Sequence, residues 1–208
     1  MLFGSMLAGF LGSLTGLGGG VVIIPLLTLV FGVDMRYAIG ASVVAVIATS
    51  SGAAVAYVRE GYTNIRVGMF LEAATVSGAL AGAFLATILR TSTIAIIFGI
   101  FLIFSAYFSL KQDADEAGIG GKPDPLASKL RMDSTYPTPA GSKAYHVRGI
   151  PLGFGLMIGA GTLSGLLGVG GGVMKVLAMD KVMKLPFKVS TTTSNFMIGV
   201  TAAASAGI

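Results

Sequence analysis

Two glycine triplets interrupt apolar sequence, in LTGLGGGVVI (Leu14 to Ile23) and LLGVGGGVMK (Leu166 to Lys175). Gly18, Gly19 and Gly20 thus recur as Gly170, Gly171 and Gly172, an offset of 152 positions from Gly18 to Gly170. A glycine run breaks a helix. Inside lipid nothing replaces the lost backbone hydrogen bonds, so the break must be buried in protein or line a wet cavity. A half-helix that starts at such a break presents free amides and the positive end of its dipole, and both attract anions. Bare backbone also lets a solute approach closely. The plainer alternative is that the glycines only let helices cross tightly. Two runs in matching places favour the anion-binding reading.

A second group of polar residues follows each triplet. GASVVAVIATSSG (Gly40 to Gly52) carries Ser42, Thr49 and Ser50, and STTTSNFMIGVTA (Ser190 to Ala202) carries Thr192, Thr193, Ser194 and Asn195. Hydroxyls and amides can hydrogen-bond an oxyanion beside free N–H groups, or they can simply cap and back-bond their own helices. Lys175 stands three residues past Gly172, where the first copy has Ile23. An intramembrane lysine is costly and marks a functional site. Its charge either meets an anionic substrate or snorkels to the interface. Glu72, six residues past Arg66, is expected near the interface in a structural role, with a coupling proton as the alternative.

Other chemistries lack their residues. His146 is the single histidine, and no HExxH or GxxxxGK[ST] pattern occurs, so neither a Ser–His protease nor ATP hydrolysis is encoded here. The Gly16-x-Gly18 stretch lacks the acidic residue that a dinucleotide site needs about 20 positions on. There is no cysteine, hence no disulfide or thiolate metal site, and no cofactor or metal is expected.

The elements that must carry these groups are membrane helices. The 208 residues are 54% hydrophobic and 11% charged, with a mean hydropathy of +0.86. Soluble domains carry roughly 25% charged residues. Residues 37–58, 67–89 and 92–110 are apolar runs long enough to cross a bilayer, which takes about 20 residues. Residues 2–31, 149–180 and 186–208 are apolar too, the first two with glycine breaks. The net charge of +5 comes from residues at segment ends, as lipid headgroups favour, and nucleic-acid binding is not expected. The start of the chain lacks a basic n-region and reads as a membrane segment rather than a signal peptide.

The two copies stay in step without a gap from Gly9 and Gly161 to Thr49 and Thr201. This points to an internal duplication, common in secondary transporters. The expected organisation is a first transmembrane repeat at 1–111, an extramembrane linker at 112–148 and a second repeat at 149–208. The linker reads as a flexible connector, although LASKLRM (126–132) could lie on the membrane. The second copy is the shorter, and the chain is expected to be a fragment of a longer protein. If each glycine segment crosses once, the halves run parallel; if it turns back, they are inverted. The charges leave orientation open.

The duplicated LxGxGGG core, GASVVAVIATSSG and GGGVMKVLAMDKVMKLPFKVSTTTSNFMIGVTAAASAG together resemble the TauE/SafE sulfite exporter family, also called TSUP. The resemblance implies an all-α, polytopic inner-membrane carrier of two homologous halves, with Gly-rich broken or re-entrant helices. It implies a substrate class of sulfite, sulfonates, sulfoacetate and related small anions; the expected substrate is a small anion, sulfur-containing or carboxylate. The family has a proline soon after each triplet; Pro25 keeps it and Leu177 does not. The expected function is secondary transport by alternating access, at a site built from the two glycine triplets, the hydroxyls of Ser42, Thr49, Ser50, Thr192, Thr193 and Ser194, the Asn195 amide and Lys175. Protons are the expected coupling ion, a homo-oligomer is compatible, and the plasma membrane is the expected location. A passive anion channel and a non-transporting assembly or sensor partner are the rival functions.

Overall fold

Among the described residues the apolar runs become helix. The computed structural model describes residues 19–110, 124–138 and 141–206. Helix α1 (Gly20–Pro25) widens into a π-helical turn, Leu26–Val30. Then follow α2 (Met35–Arg59), α3 (Ile65–Ile88) and α4 (Thr91–Leu110). A short helix α5 (Pro125–Lys129) precedes a hairpin of β1 (Ser134–Thr138) and β2 (Gly141–Tyr145). Helix α6 (Ile150–Leu167) leads to α7 (Gly172–Leu177), which again widens into a π-helical turn, Ala178–Val182; α8 (Phe187–Ser205) is last. Four of these helices are long and apolar enough to span a membrane: α2, most of α4, α3 and α6. Helix α8 is more polar because Ser190 through Asn195 open it.

The local signals are physical. Asp34 and Asn64 cap α2 and α3, accepting from the amides of Arg36 at 2.9 Å and Val67 at 3.1 Å. The π-helical turn follows α1 and α7 at the same relative place, although only α1 contains a proline. Proline is therefore not its common cause.

The central seam joins α3 to α6, running parallel. Gly78 and Gly82 of α3 face Gly161 and Gly165 of α6. A Cβ on any of the four would overlap a carbonyl oxygen of the facing helix: Ile158, Thr162, Thr75 and Ala79 respectively. Small residues at i and i+4 let the backbones touch, which is how helices associate where lipid removes the hydrophobic drive. Helix α8 packs between α2 and α3.

Contacts at the ends define two faces. Arg36 at the start of α2 donates to the Leu89 carbonyl (2.9 Å) and to Thr91 Oγ1 (3.3 Å), between α3 and α4. At the other face, the Asn64 amide donates to Thr193 Oγ1 (3.0 Å), and the Arg148 amide donates to the Met183 carbonyl (3.0 Å). Residues 172–182 thus return to the face from which α6 departed. The return run of 11 residues covers about 16 Å, against about 27 Å for α6. As a result α2 starts at one face and α8 at the other.

The described residues are mostly helical, as the all-α reading expects, and one two-stranded hairpin is added to the helices. Thr135, Tyr136 and Thr138 favour a strand, and β1 pairs with β2 from Ser134↔Tyr145 to Thr138↔Gly141. Pro137 is tolerated because a two-stranded sheet is all edge. The hairpin caps the face at Asn64. Asn64 Nδ2 donates to the Met132 carbonyl and to the Tyr145 hydroxyl, both at 2.8 Å. Burial pushes the Tyr145 phenol above its ordinary range, so it stays protonated near neutral pH.

Candidate functional site

The second glycine run is a true break. Gly168 ends α6 and Gly171 precedes α7, both in the left-handed region (φ 64°), and Gly170 lies there too (φ 78°). A side chain at any of these would be strained. It would also collide: a Cβ on Gly168 would lie 2.7 Å from Ile39 Cγ2, and one on Gly171 would lie 2.8 Å from the Ala160 carbonyl oxygen. Glycine here thus serves conformation and packing together.

The first run comes to meet it. A Cβ on Gly20 would lie 2.9 Å from Val169 Cα and 3.0 Å from the Gly168 carbonyl oxygen. Gly19 and Gly20 are buried; Gly18 lies outside the described residues. Ser42, fully buried on α2, donates to the Gly168 carbonyl at 2.9 Å. Its counterpart Ser194, on α8, points at the carbonyl of Gly172 at 3.4 Å. Each hydroxyl sits seven residues into its helix, and the two reach carbonyls of the same glycine break.

The other hydroxyls do different work. Thr49 and Ser50 bond back to carbonyls of α2, Thr49 to Ala45 (3.0 Å) and Ser50 to Val46 (2.6 Å). Thr192 bonds back to the Lys188 carbonyl (2.9 Å) and reaches the Tyr62 carbonyl (3.1 Å). Thr193 accepts the Asn64 amide. Thr192 and Thr193 therefore fasten α8 to the capped face rather than approach the glycines. Asn195 is buried on the same helix.

Lys175 does not snorkel. It is 0% exposed, and its Nζ donates to Thr201 Oγ1 at 2.5 Å. Thr201 in turn lies 2.5 Å from Glu72 Oε1. Glu72 is 5% exposed and sits two turns into α3, not at the interface. The lysine charge is thus balanced through one hydroxyl. Sequence reasoning did not join these three residues, which lie on three helices. Two signals are in the sequence: Thr201 stands 152 positions past Thr49, the spacing of the two glycine triplets, and Glu72 is the single acid in the run 67–89. Glu72 Oε2, Ser164 Oγ and Ser190 Oγ are buried without a hydrogen-bond partner. An apolar cleft of 280 Å³ between α4, α6 and α7, lined by Ile97, Phe101, Leu163 and Met174 among others, offers an anion no partner.

The family profile of the sulfite exporter TauE/SafE matches residues 1–208. The chain belongs to the TauE/SafE family. Among TauE/SafE relatives, the "probable membrane transporter protein YunE" of Bacillus subtilis (strain 168) is 30% identical over 201 residues, covering 93% of this chain and 71% of that protein. The "probable membrane transporter protein ORF9" of Sinorhizobium sp is 29% identical over 129 residues, covering 62% of this chain and 49% of that protein. No solved structure matches. Membership and the apolar helices make this a multi-pass membrane protein of a transporter family.

Proposed function

We propose that this TauE/SafE chain carries small anions of the sulfite, sulfonate or carboxylate class across the plasma membrane by alternating access between two inverted repeats. The observation that carries the reading is the contact of the two glycine runs, with Gly20 against Gly168 and Val169 and with Ser42 bonded to Gly168. Elements recur at the repeat offset: Gly20 and Gly172 start α1 and α7, and Met35 and Phe187 start α2 and α8. They run in opposite senses, since α2 and α8 start at opposite faces. Residues 172–182 are read as the return limb of a re-entrant hairpin, which is what inverts the second copy. An inverted pair can exchange inward-open and outward-open shapes around one fixed site.

The site's chemistry suits a small anion. Bare backbone at the breaks permits close approach. Ser42 and Ser194, now held by glycine carbonyls, would turn their donors to the anion as the halves part, and Lys175 would balance its charge. Orientation follows from the two faces. Arg59, Arg66, Lys129, Arg131, Lys143, Arg148, Lys181, Lys184 and Lys188 gather at the capped face, whereas Arg36 and Arg90 occupy the other. By the positive-inside rule we read the capped face as cytoplasmic.

The test is uptake into proteoliposomes of radiolabelled sulfite, methanesulfonate and acetate under imposed ion gradients. Saturable uptake of at least one of them, driven by a gradient, is expected. Equal leakage of all three with no saturation would contradict the proposal and favour a passive channel or a non-transporting role.

A further inference from the structure

Thr201 holds two acceptors for one proton. Its hydroxyl lies 2.5 Å from Glu72 Oε1 and 3.0 Å from the Met197 carbonyl, and it accepts from Lys175 Nζ at 2.5 Å. Both acceptors cannot be served at once. Turned to Glu72, the hydroxyl proton stabilises a carboxylate. Turned to Met197, it leaves the Thr201 oxygen free to accept from two donors, Lys175 and a protonated Glu72. The same heavy-atom positions therefore satisfy Glu72 in its charged and its neutral form. Glu72 Oε2 is buried with no partner. An unpartnered oxygen costs less on a neutral acid than on a carboxylate.

We infer that Glu72 is the proton-binding site of the carrier and that its protonation releases the charge of Lys175 to the anion. The inference rests on the transport reading above and names its coupling ion. While Glu72 is ionised, Lys175 is balanced and an anion gains little from it. When a proton from water binds the Glu72 carboxylate, Lys175 becomes an uncompensated ammonium in a dry interior. A monovalent anion then restores neutrality, so one proton travels with one anion. Linkage is reciprocal: whatever factor the proton adds to anion binding, the anion adds to proton binding.

Among the described residues no other charge competes at this point. Helix α6 has no charged residue between Ile150 and Leu167. On α8, Lys188 lies one turn from the capped face, over the Tyr62 ring at 3.8 Å. In the turn after α7, Asp180 and Lys181 pair with each other at 3.3 Å. Glu72 comes from the first repeat and Lys175 with Thr201 from the second, so proton binding acts across the boundary that alternating access must open.

The experiment adds methanesulfonate, which does not titrate near neutral pH, to the detergent-purified full chain in weakly buffered solution with a pH indicator. Uptake approaching one proton per anion bound is expected, with an infrared difference band of a protonated carboxyl. Affinity should fall about tenfold per pH unit above the range where Glu72 deprotonates. Glu72→Gln, an amide copy of the neutral acid, should bind with no proton uptake and no pH dependence. Thr201→Val should weaken the coupling and Thr201→Ser restore it. Wild type that binds methanesulfonate without proton uptake or carboxyl band overturns the inference, whether or not any variant folds. Glu72→Gln that still takes up the proton also overturns it. Wild type that binds neither methanesulfonate nor sulfite contradicts the transport reading itself and removes the basis of this one.

Discussion

Replacing Gly165 by alanine should loosen the seam between α3 and α6. The new Cβ would overlap the Ala79 carbonyl oxygen and lie 2.8 Å from its carbon and 2.9 Å from the Ala83 nitrogen. All three atoms are backbone, so no side chain can rotate away. The helices must part by about 1 Å to restore ordinary contact, and the neighbouring contacts of the seam weaken with them. Overpacking costs about 1–3 kcal/mol, and a rigid neighbour places this case in the upper half. Alanine's better helix propensity returns about 0.5–1 kcal/mol. The net loss is about 1–2.5 kcal/mol, on the order of a five- to seventyfold change in the ratio of folded to unfolded protein. Gly159 gives the matched control, because nothing lies within 4 Å of its Cβ position on the same helix. Gly159→Ala should be neutral or stabilising by up to about 0.5–1 kcal/mol. The assay is unfolding of both variants in mixed micelles by SDS titration, followed by circular dichroism. Equal midpoints for the two variants would refute the claim that these glycines hold the seam.

Lys175→Met leaves Glu72 buried without its counter-charge and should cost about 3–5 kcal/mol, whereas Glu72→Gln together with Lys175→Met should recover most of that loss in the same titration; a double variant as unstable as the single one would deny the pairing. Asn64→Ala removes the α3 cap and both bonds to the hairpin region, costing about 1–2 kcal/mol for the cap alone. Trypsin should then cut faster at Arg131 and Lys143, and an unchanged cleavage rate would mean that the hairpin is held by other contacts. Orientation can be read by single cysteines, since the chain has none of its own. Arg90→Cys should react with an impermeant maleimide on intact cells and Lys129→Cys should not; the reverse pattern would invert the topology.

Much of the helix layout is legible in sequence, because apolar runs of spanning length and charged ends leave few choices. Met35–Arg59 and Ile65–Ile88 fall within a few residues of the runs at 37–58 and 67–89. The glycine break is legible as well, since three left-handed positions in four residues need glycine. Chain direction after the break is not legible. A helix pattern has no information about whether residues 172–182 go on or turn back, and that alone decides which face receives Lys181, Lys184 and Lys188. The Glu72–Thr201 bond spans 129 residues and depends on that same turn. The hairpin is hidden by Pro137, which reads as connector because sequence does not reveal that Asn64 donates to Met132 and Tyr145. Thr192 and Thr193 were grouped with Ser194 by proximity in sequence, yet helical rotation and depth send them to the capped face.

The most direct measurement is the equilibrium binding of methanesulfonate to the purified chain, with stoichiometry, for wild type, Ser42→Ala and Ser194→Ala. The two serines stand on different helices, α2 and α8, and a hydrogen bond to a charged group contributes about 1.5–3 kcal/mol. One anion per chain, with either substitution raising Kd about tenfold or more, is what a single site shared by both glycine breaks requires. Two independent sites, or a Kd that neither substitution moves, would contradict it.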